Sequence, residues 1–311
     1  MIATVTLNPA IDIRYNLSGF QKGQVNRVSS VDKTIGGKGL NVSRVLSQLG
    51  TEVICTGFLG GKSGEWIADQ LSHGKLIDRF VAIEGETRSC LAILSKNEQT
   101  EILEKGPYLL ENEIAAFLEI YESILEKAEY VIVSGSLPRG IEADFYQILA
   151  EKANQKRKYL LMDASGIVLE KGITGKPFLI KPNMEEFKQL VGLEHLTIDQ
   201  MIRHAKSICR NGVQYVLLSL GQEGAILVSN AIILQASIPK VKVINPVGSG
   251  DSMLAGFTYA HSKDFLIERA LKWACACGIS NAVSEKTGSI NISQVNRFAE
   301  DIKVIELRVG D

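Results

Sequence analysis

The sequence predicts a three-layer α/β/α fold with a mostly parallel central sheet and a small β-sheet lid. Three observations lead there. From about residue 110 onward, short β-type runs alternate with longer runs of helical period. Runs such as "YVIVS" (130–134) and "YVLLSL" (215–220) are almost continuously apolar, as strands covered on both faces by helices are. The first third departs from the alternation: residues 12–35 and 80–105 read as β segments with few helices, which suits a small sheet over the main one. No repeat, low-complexity stretch or linker divides residues 1–311, so a single domain is expected.

In order along the chain, "ATVTL" (3–7) is the first strand, followed by a polar, turn-rich stretch from Asp12 to Ile35. Val42, Val45, Leu46 and Leu49 fall at i, i+3, i+4 and i+7, one face of a helix. "EVICTGFLG" (52–60) is a strand and "SGEWIADQLSH" (63–73) a short helix; "RFVAI", "SCLAILS" and "QTEIL" are further β runs within 79–103. Ile114, Phe117, Leu118, Tyr121 and Leu125 mark a long helix. The order then becomes regular, with strands at 130–136, 159–165, 178–183, 215–221 and 225–229 and helices at 144–155, 185–192 and 198–212. Two helices follow Asp251, the second spanning 265–285.

Composition narrows the function classes. The formal net charge is −1, so no basic field recruits nucleic acid or an anionic membrane, and an anionic ligand must be met by a few placed cations and helix N-termini. Five cysteines without framework spacing argue against a disulfide scaffold and suit a reducing cytoplasm; Cys275 and Cys277, two apart on a helix, do not share a face for a metal. No run of eighteen apolar residues or signal-peptide pattern occurs, so a cytoplasmic location is expected.

Ligands of open α/β sheets sit at the carboxyl ends of the strands. The candidates are therefore Asn8 and Asp12, Gly57 and Gly60, Ser134 to Ser136, Asp163, Lys181 to Asn183, Ser219 and Gly221, and "NPVGSGD" (245–251). Two glycine-rich segments precede helices, "GGKGLNVSRVLSQLG" (36–50) and "GSGDSMLAGF" (248–257). Glycine permits a sharp turn and close ligand approach, and the free N–H groups of a helix start form an anion site. "GGKSG" (60–64) resembles the end of a P-loop, but Thr56 stands where its first glycine belongs. No G-x-G-x-x-G follows the first strand, and no H-E-x-x-H or G-x-S-x-G is present. His73, His195, His204 and His261 read as surface residues. Asp251, beside Ser252 at a helix start, suits an N-cap; a carboxylate beside an anion hole equally suits the base of a phosphoryl transfer.

With both glycine segments in order, the chain resembles the ribokinase-like (PfkB) carbohydrate kinases. "TVTLNPAID", "ETRSCLAIL", "QTEILEKGP", "VSGSLPRG" and "KPNMEEF" extend the resemblance over the whole length and toward the sugar-phosphate branch, which includes 1-phosphofructokinase and tagatose-6-phosphate kinase. "CLAIL" followed by "QTEILE" leans toward the tagatose enzymes. The resemblance implies ATP- and Mg²⁺-dependent phosphorylation of a ketohexose monophosphate, first tagatose 6-phosphate, then fructose 1-phosphate, then fructose 6-phosphate; a non-catalytic sugar-phosphate sensor is the reading from another class. It implies Asp251 as base, with Gly248, Ser249 and Gly250 as the anion hole. Asp12, Gly37 and Asn41 would hold sugar hydroxyls, and Lys38, Arg88, Ser136 and Arg27 the substrate's phosphate. Asn183 and Glu186 would serve Mg²⁺ through water; Lys181, Asn183, Ser219, Gly221, Gly224 and Asn281 would lie on the ATP side. A homodimer through the lid is also implied. Where ribokinase-type members read D-T-x-G-A-G-D, this chain has Asn245, Pro246 and Ser249, which argues against a ribokinase-type monovalent-cation site. Each residue also has an ordinary explanation: Lys38 and Arg88 as solvated charges, Asp12 as a turn cap, Glu186 as a first-turn acid.

Overall fold

The computed structural model describes residues 1–71, 75–95 and 98–307. The chain begins β1 (Ile2–Thr6), β2 (Ala10–Leu17), β3 (Ser30–Gly36), α1 (Lys38–Gln48), β4 (Val53–Gly60), α2 (Gly61–Leu71), β5 (Leu76–Asp78), β6 (Val81–Ile83), β7 (Arg88–Ser95) and β8 (Glu98–Leu103). It continues α3 (Glu111–Leu125), β9 (Tyr130–Ser134), α4 (Phe145–Gln155), β10 (Tyr159–Asp163), α5 (Gly166–Thr174), β11 (Leu179–Ile180), α6 (Met184–Val191), α7 (Ile198–Arg210) and β12 (Tyr215–Ser219). It closes with β13 (Ala225–Val228), β14 (Ile233–Ser237), α8 (Ser249–His261), α9 (Ile267–Ala282), α10 (Ile292–Asp301) and β15 (Lys303–Glu306).

The main sheet runs β15-β14-β13-β12-β11-β10-β9-β1-β4-β5, with β6 paired to the end of β4. Its pairs from β12 through β5 are parallel, and β13, β14 and β15 add antiparallel strands at one edge. All five residues of β9 are buried, because helices cover both faces. One apolar layer joins the sheet to α1, α2, α8, α9 and α10; the other joins it to α3 through α7. Alternation along β4 splits its side chains accordingly, Val53 and Cys55 to the first layer, Ile54 and Phe58 to the second. From β1 the chain builds β4 on one side and β9 on the other, so the sheet has its switch point at β1.

A second sheet, β3-β2-β7-β8, stands apart. Asp12 and Arg14 of β2, Arg88 and Cys90 of β7 and Glu101 of β8 line the cleft at the carboxyl ends of the main strands. The two-residue period of a strand puts such residues on one face. The run "RFVAI", read with this region, contributes β6 to the main sheet instead.

Several elements were not anticipated. α5 is only nine residues long, its Ile167, Val168 and Leu169 run consecutively rather than at helical spacing, and it carries Gly166 and Gly172, where a Cβ at the latter would lie 2.6 Å from Met162 Sδ. The edge strand β15 is mostly exposed and so has no apolar alternation. α10 does carry a signal, the Asn291 cap followed by Ile292, Val295 and Phe298 at helical spacing, although it was not among the expected helices. The helix α2 reaches Leu71; the last two residues of the expected helix, Ser72 and His73, lie outside the described residues. No helix among the described residues is long and apolar enough to cross a membrane, and all five cysteines are buried and free.

Candidate active site

α8 starts at Ser249 and its N-cap is Gly248, with φ 81°. Only glycine adopts that left-handed conformation readily, and a Cβ there would also meet Thr287 Cγ2 at 2.7 Å. Asp251 therefore occupies the third helical position and makes no cap, unlike the capping role its neighbourhood suggested. Its carboxylate is 5 % exposed and accepts a hydrogen bond from Asn41 Nδ2 at 2.7 Å. Asn41 lies on α1, so the two glycine-rich segments, 210 residues apart at this pair, meet at the base. Burial, and then the nearby Asp163 carboxylate, pushes the Asp251 carboxyl up to about 6; Lys38, the Asn41 amide and Lys181 act against the rise.

Beside it lies a buried charge cluster. Asp163, at the end of β10, is 1 % exposed and sits between Lys181 Nζ at 3.1 Å and Lys38 Nζ at 3.2 Å. Burial drives the Asp163 carboxyl upward, but Lys181 and Lys38 more than offset it and hold it below the ordinary value. Asp163 raises Lys38 in turn. Lys38 also lies 3.8 Å from Glu186. The ammonium of Lys38 thus points into this cluster, whereas Arg88 and Ser136, with which it was grouped, form a separate set.

That second set gathers around Asn8. Arg88 donates to Asn8 O at 3.0 Å, to Glu104 O at 2.8 Å and to Ser136 Oγ at 3.5 Å. Asn8 Nδ2 also donates to Ser136 Oγ, at 3.3 Å. Among the described residues no carboxylate lies within ion-pair distance of Arg88, and a guanidinium held only by neutral acceptors suits a phosphate. Arg27 does not join them; it is exposed on the loop between β2 and β3 and does not line the cleft. Asp12 faces the cleft from β2, and burial raises its carboxyl to about 6, against the attraction of Arg44 and Arg88. Gly36 makes its room, since a Cβ there would lie 2.1 Å from Asp12 Oδ1. Gly37, with φ 110°, turns the chain into α1 and tolerates no Cβ against Thr6 Cγ2 at 2.8 Å.

Asn183 and Glu186 form the capping box of α6: Glu186 N donates to Asn183 Oδ1 and Asn183 N to Glu186 Oε2, each at 2.9 Å. Ser219 lines the cleft and pairs with Asn183 in an isolated bridge. Gly221 opens a single 3₁₀ turn, and Gly224 closes it with φ 97°, where a Cβ would strike Ala236 O at 2.0 Å. Asn281, expected near a nucleotide base, is fully buried and its amide is engaged at both ends. It donates to Val247 O at 2.8 Å and accepts from Gly288 N at 2.8 Å, so it ties the turn before α8 to a second loop. Asn245 holds the same turn, accepting from Val247 N at 3.0 Å and donating to Thr287 Oγ1 at 3.1 Å. The P-loop-like "GGKSG" meets an anion of the protein itself: Glu86 accepts from Ser63 N at 2.7 Å and Lys62 N at 3.2 Å. His261 is half-buried rather than free at the surface; it packs among Tyr130, Tyr159, Phe178 and Phe257, with Nδ1 2.8 Å from Tyr130 Oη.

The cleft has a volume of about 860 Å³ and reaches from Asp12 and Arg88 past Lys38, Asp163 and Asp251 to Glu186 and Ser219; Gly221, Gly224, Asn245, Asn281 and His261 do not line it. Two of its lining hydroxyls, Thr6 Oγ1 and Ser134 Oγ, are buried without a hydrogen-bond partner among the described residues, a state natural to a ligand site. They lie at the ends of β1 and β9; Ser134 was among the strand-end candidates, whereas Thr6, inside the first apolar run, was not. Among the described residues no three His, Cys, Asp or Glu gather as a metal cage. The donor set nevertheless fits Mg²⁺ held mainly by phosphate oxygens and waters, with Glu186 within reach of the charge cluster.

A family model described as "pfkB family carbohydrate kinase" matches residues 5–294. Among solved structures, the chain is similar to a candidate phosphofructokinase of Staphylococcus aureus, with 32 % identity, TM-score 0.86, and 99 % of each chain covered. It is similar to phosphofructokinase-2 of Escherichia coli in complex with potassium, with 26 % identity, TM-score 0.90, and 96 % of this chain and 98 % of that one covered. A ribokinase of Thermotoga maritima shares the fold, with 20 % identity, TM-score 0.81, and 96 % of this chain and 99 % of that one covered.

Proposed function

The chain belongs to the pfkB family of carbohydrate kinases, and on that premise we propose that it transfers the terminal phosphoryl group of ATP to the free primary hydroxyl of a ketohexose monophosphate. It is a sugar phosphotransferase; the identity of the sugar and the roles below are our reading. The observation that carries it is Asp251, a buried carboxylate with its pKa lifted toward neutrality, set at the glycine-lined start of α8. The carboxylate takes the proton of the attacking hydroxyl. The N–H groups of Gly248, Ser249 and Gly250, with the α8 dipole behind them, receive the charge on the transferred group. Lys38 and Lys181 add positive charge beside it and keep Asp163 ionised. Asn183 and Glu186 would hold Mg²⁺ through water, and the ion would neutralise phosphate charge there.

Asp12 binds sugar hydroxyls as an acceptor, with Gly36 and Gly37 keeping the approach open. Arg88 and Ser136 hold the phosphate already on the sugar. Asn41 acts on Asp251 rather than on the sugar. Tagatose 6-phosphate is the first substrate to test, from the "CLAIL…QTEILE" pattern. Fructose 6-phosphate stands beside it because a similar structure is a phosphofructokinase-2. The two sugars differ only in configuration at C4, so one hydroxyl contact would discriminate them. Val25, Val28, Val31, Ile102 and Leu103 are exposed on or beside the small sheet, which supports a homodimer with this sheet as lid and contact.

The test is ADP release with tagatose 6-phosphate, fructose 6-phosphate and fructose 1-phosphate side by side, for the wild type and Asp251→Ala. Removal of a general base costs ~10²–10⁴ in kcat. A variant near wild-type kcat would refute the base; ADP release with unphosphorylated sugars alone would refute the substrate class.

A further inference from the structure

Arg44 was not singled out by any motif reading, yet it joins three parts of the site. It lies on α1 one turn after Asn41 and is largely buried. Its guanidinium donates to Ile35 O of β3 at 2.6 Å, to the side-chain carbonyl of Asn41, and to Thr287 O at 3.3 Å. Gly288 leaves it space, since a Cβ there would lie 3.1 Å from Arg44 Nε. Gln48, one turn further on, donates to Gly288 O at 2.8 Å and accepts from Ile290 N at 2.9 Å, so α1 clasps this loop twice.

Two routes lead from Arg44 to the chemistry. One passes through Asn41 to Asp251. The other passes through Thr287 to Asn245 and on to Val247, next to Gly248. The first has a directional consequence. A guanidinium has donors only, whereas an amide has a donor end and an acceptor end. Arg44 therefore selects the amide orientation in which the Asn41 carbonyl faces it and the NH₂ faces Asp251. Turned over, the amide would present a carbonyl to the carboxylate and oppose its ionisation.

We propose that Arg44 is a positioning residue for phosphoryl transfer: it locks the Asn41 amide so that the NH₂ supports Asp251, and ties base, anion-hole turn and small sheet into one hydrogen-bonded frame. The inference rests on the reading of Asp251 as the base. Other charged groups face the same carboxylates. Asp251 is faced by Asp163 from β10, Lys38 from α1 and Lys181 after β11; Asp12 is faced by Arg44, Arg88 from β7, Glu101 from β8 and Arg14 of its own strand. Substitutions at Arg44 leave all of these except Arg44 in place.

The experiment is steady-state kinetics over about pH 5 to 9 for Arg44→Met, Arg44→Lys, Asn41→Ala and the double variant Asn41→Ala with Arg44→Met, after folding is checked by circular dichroism. In Arg44→Met, kcat should fall about 10–100-fold with the KM for ATP little changed, and the acid limb should move to higher pH. In Arg44→Lys the limb should stay, while kcat falls about threefold or more because one ammonium does not reach all three acceptors. In the Asn41→Ala background the further loss from Arg44→Met should shrink. An unmoved limb in Arg44→Met, or an equal loss with and without Asn41, would overturn the proposal. If Arg44→Met does not fold, a wild-type kcat in Arg44→Lys overturns it. Asp251→Ala measured alongside separates the two failures: near-normal activity there sinks the base itself, not the role of Arg44.

Discussion

Replacing Asp251 by asparagine is expected to abolish most catalysis and to raise thermal stability in the same protein. The carboxyl is lifted from the ordinary 3.8 to about 6 by burial and by Asp163, net of the help from Lys38, Asn41 and Lys181. That rise corresponds to ~3 kcal/mol of native-state cost for the ionised form at neutral pH. Between about pH 4 and 6 the native state keeps a proton that the unfolded chain has released, so stability falls as pH rises through that window, and the cost is complete above it. Asparagine has nearly the same shape and no charge. Allowing ~1 kcal/mol for an altered bond to Asn41, Asp251→Asn should gain about 1–3 kcal/mol at pH 7.5, a few degrees in Tm. The gain should shrink as pH falls through that window and vanish below about pH 3, where the wild-type group is neutral in both states. Thermal unfolding of both proteins across this range, with kcat measured in parallel, tests it. A lower Tm for Asp251→Asn at pH 7.5, or a Tm difference independent of pH, would refute the reasoning.

Three other outcomes are expected. Arg88→Ala should raise the KM for the sugar phosphate about 10–100-fold, the worth of a hydrogen bond to a charged group, with little effect on ATP; substrate-saturation curves decide it. Gly36→Ala places a methyl on the Asp12 carboxylate and should lower kcat/KM for the sugar while circular dichroism stays native. Asn183→Ala removes the α6 capping box and should cost about 0.5–2 kcal/mol in a denaturant titration.

The layer order, the parallel sheet and the location of the site at the carboxyl ends of its strands follow from local patterning that the sequence displays openly. "YVIVS" reads as a doubly covered strand, and "GSGD" before an apolar helix reads as a candidate anion site once the first glycine-rich segment stands beside it. Asp12, Ser136 and Asp251 were anticipated because each follows an apolar run; Arg88, the first residue of β7, was anticipated only through the family resemblance, and the cleft brings all four together. α5 and β15 were hidden because they are short and depend on docking onto neighbours; α10 has a cap and a periodicity of its own.

What the sequence by itself determined is which chemical groups are present and which elements carry them. Only the tertiary structure decided what those groups do to one another. Nothing local distinguishes His261 in its aromatic nest from a surface histidine, or Asn281 as a brace from Asn281 as a ligand contact. Asp163 became the counter-ion of two lysines, and Arg44 the clamp on Asn41, through contacts spanning distant parts of the chain. Burial, pKa and hydrogen-bond direction depend on neighbours in space, and in this fold the charged neighbours of the base come from α1, the end of β10 and the residue after β11, between about 70 and 213 residues away along the chain.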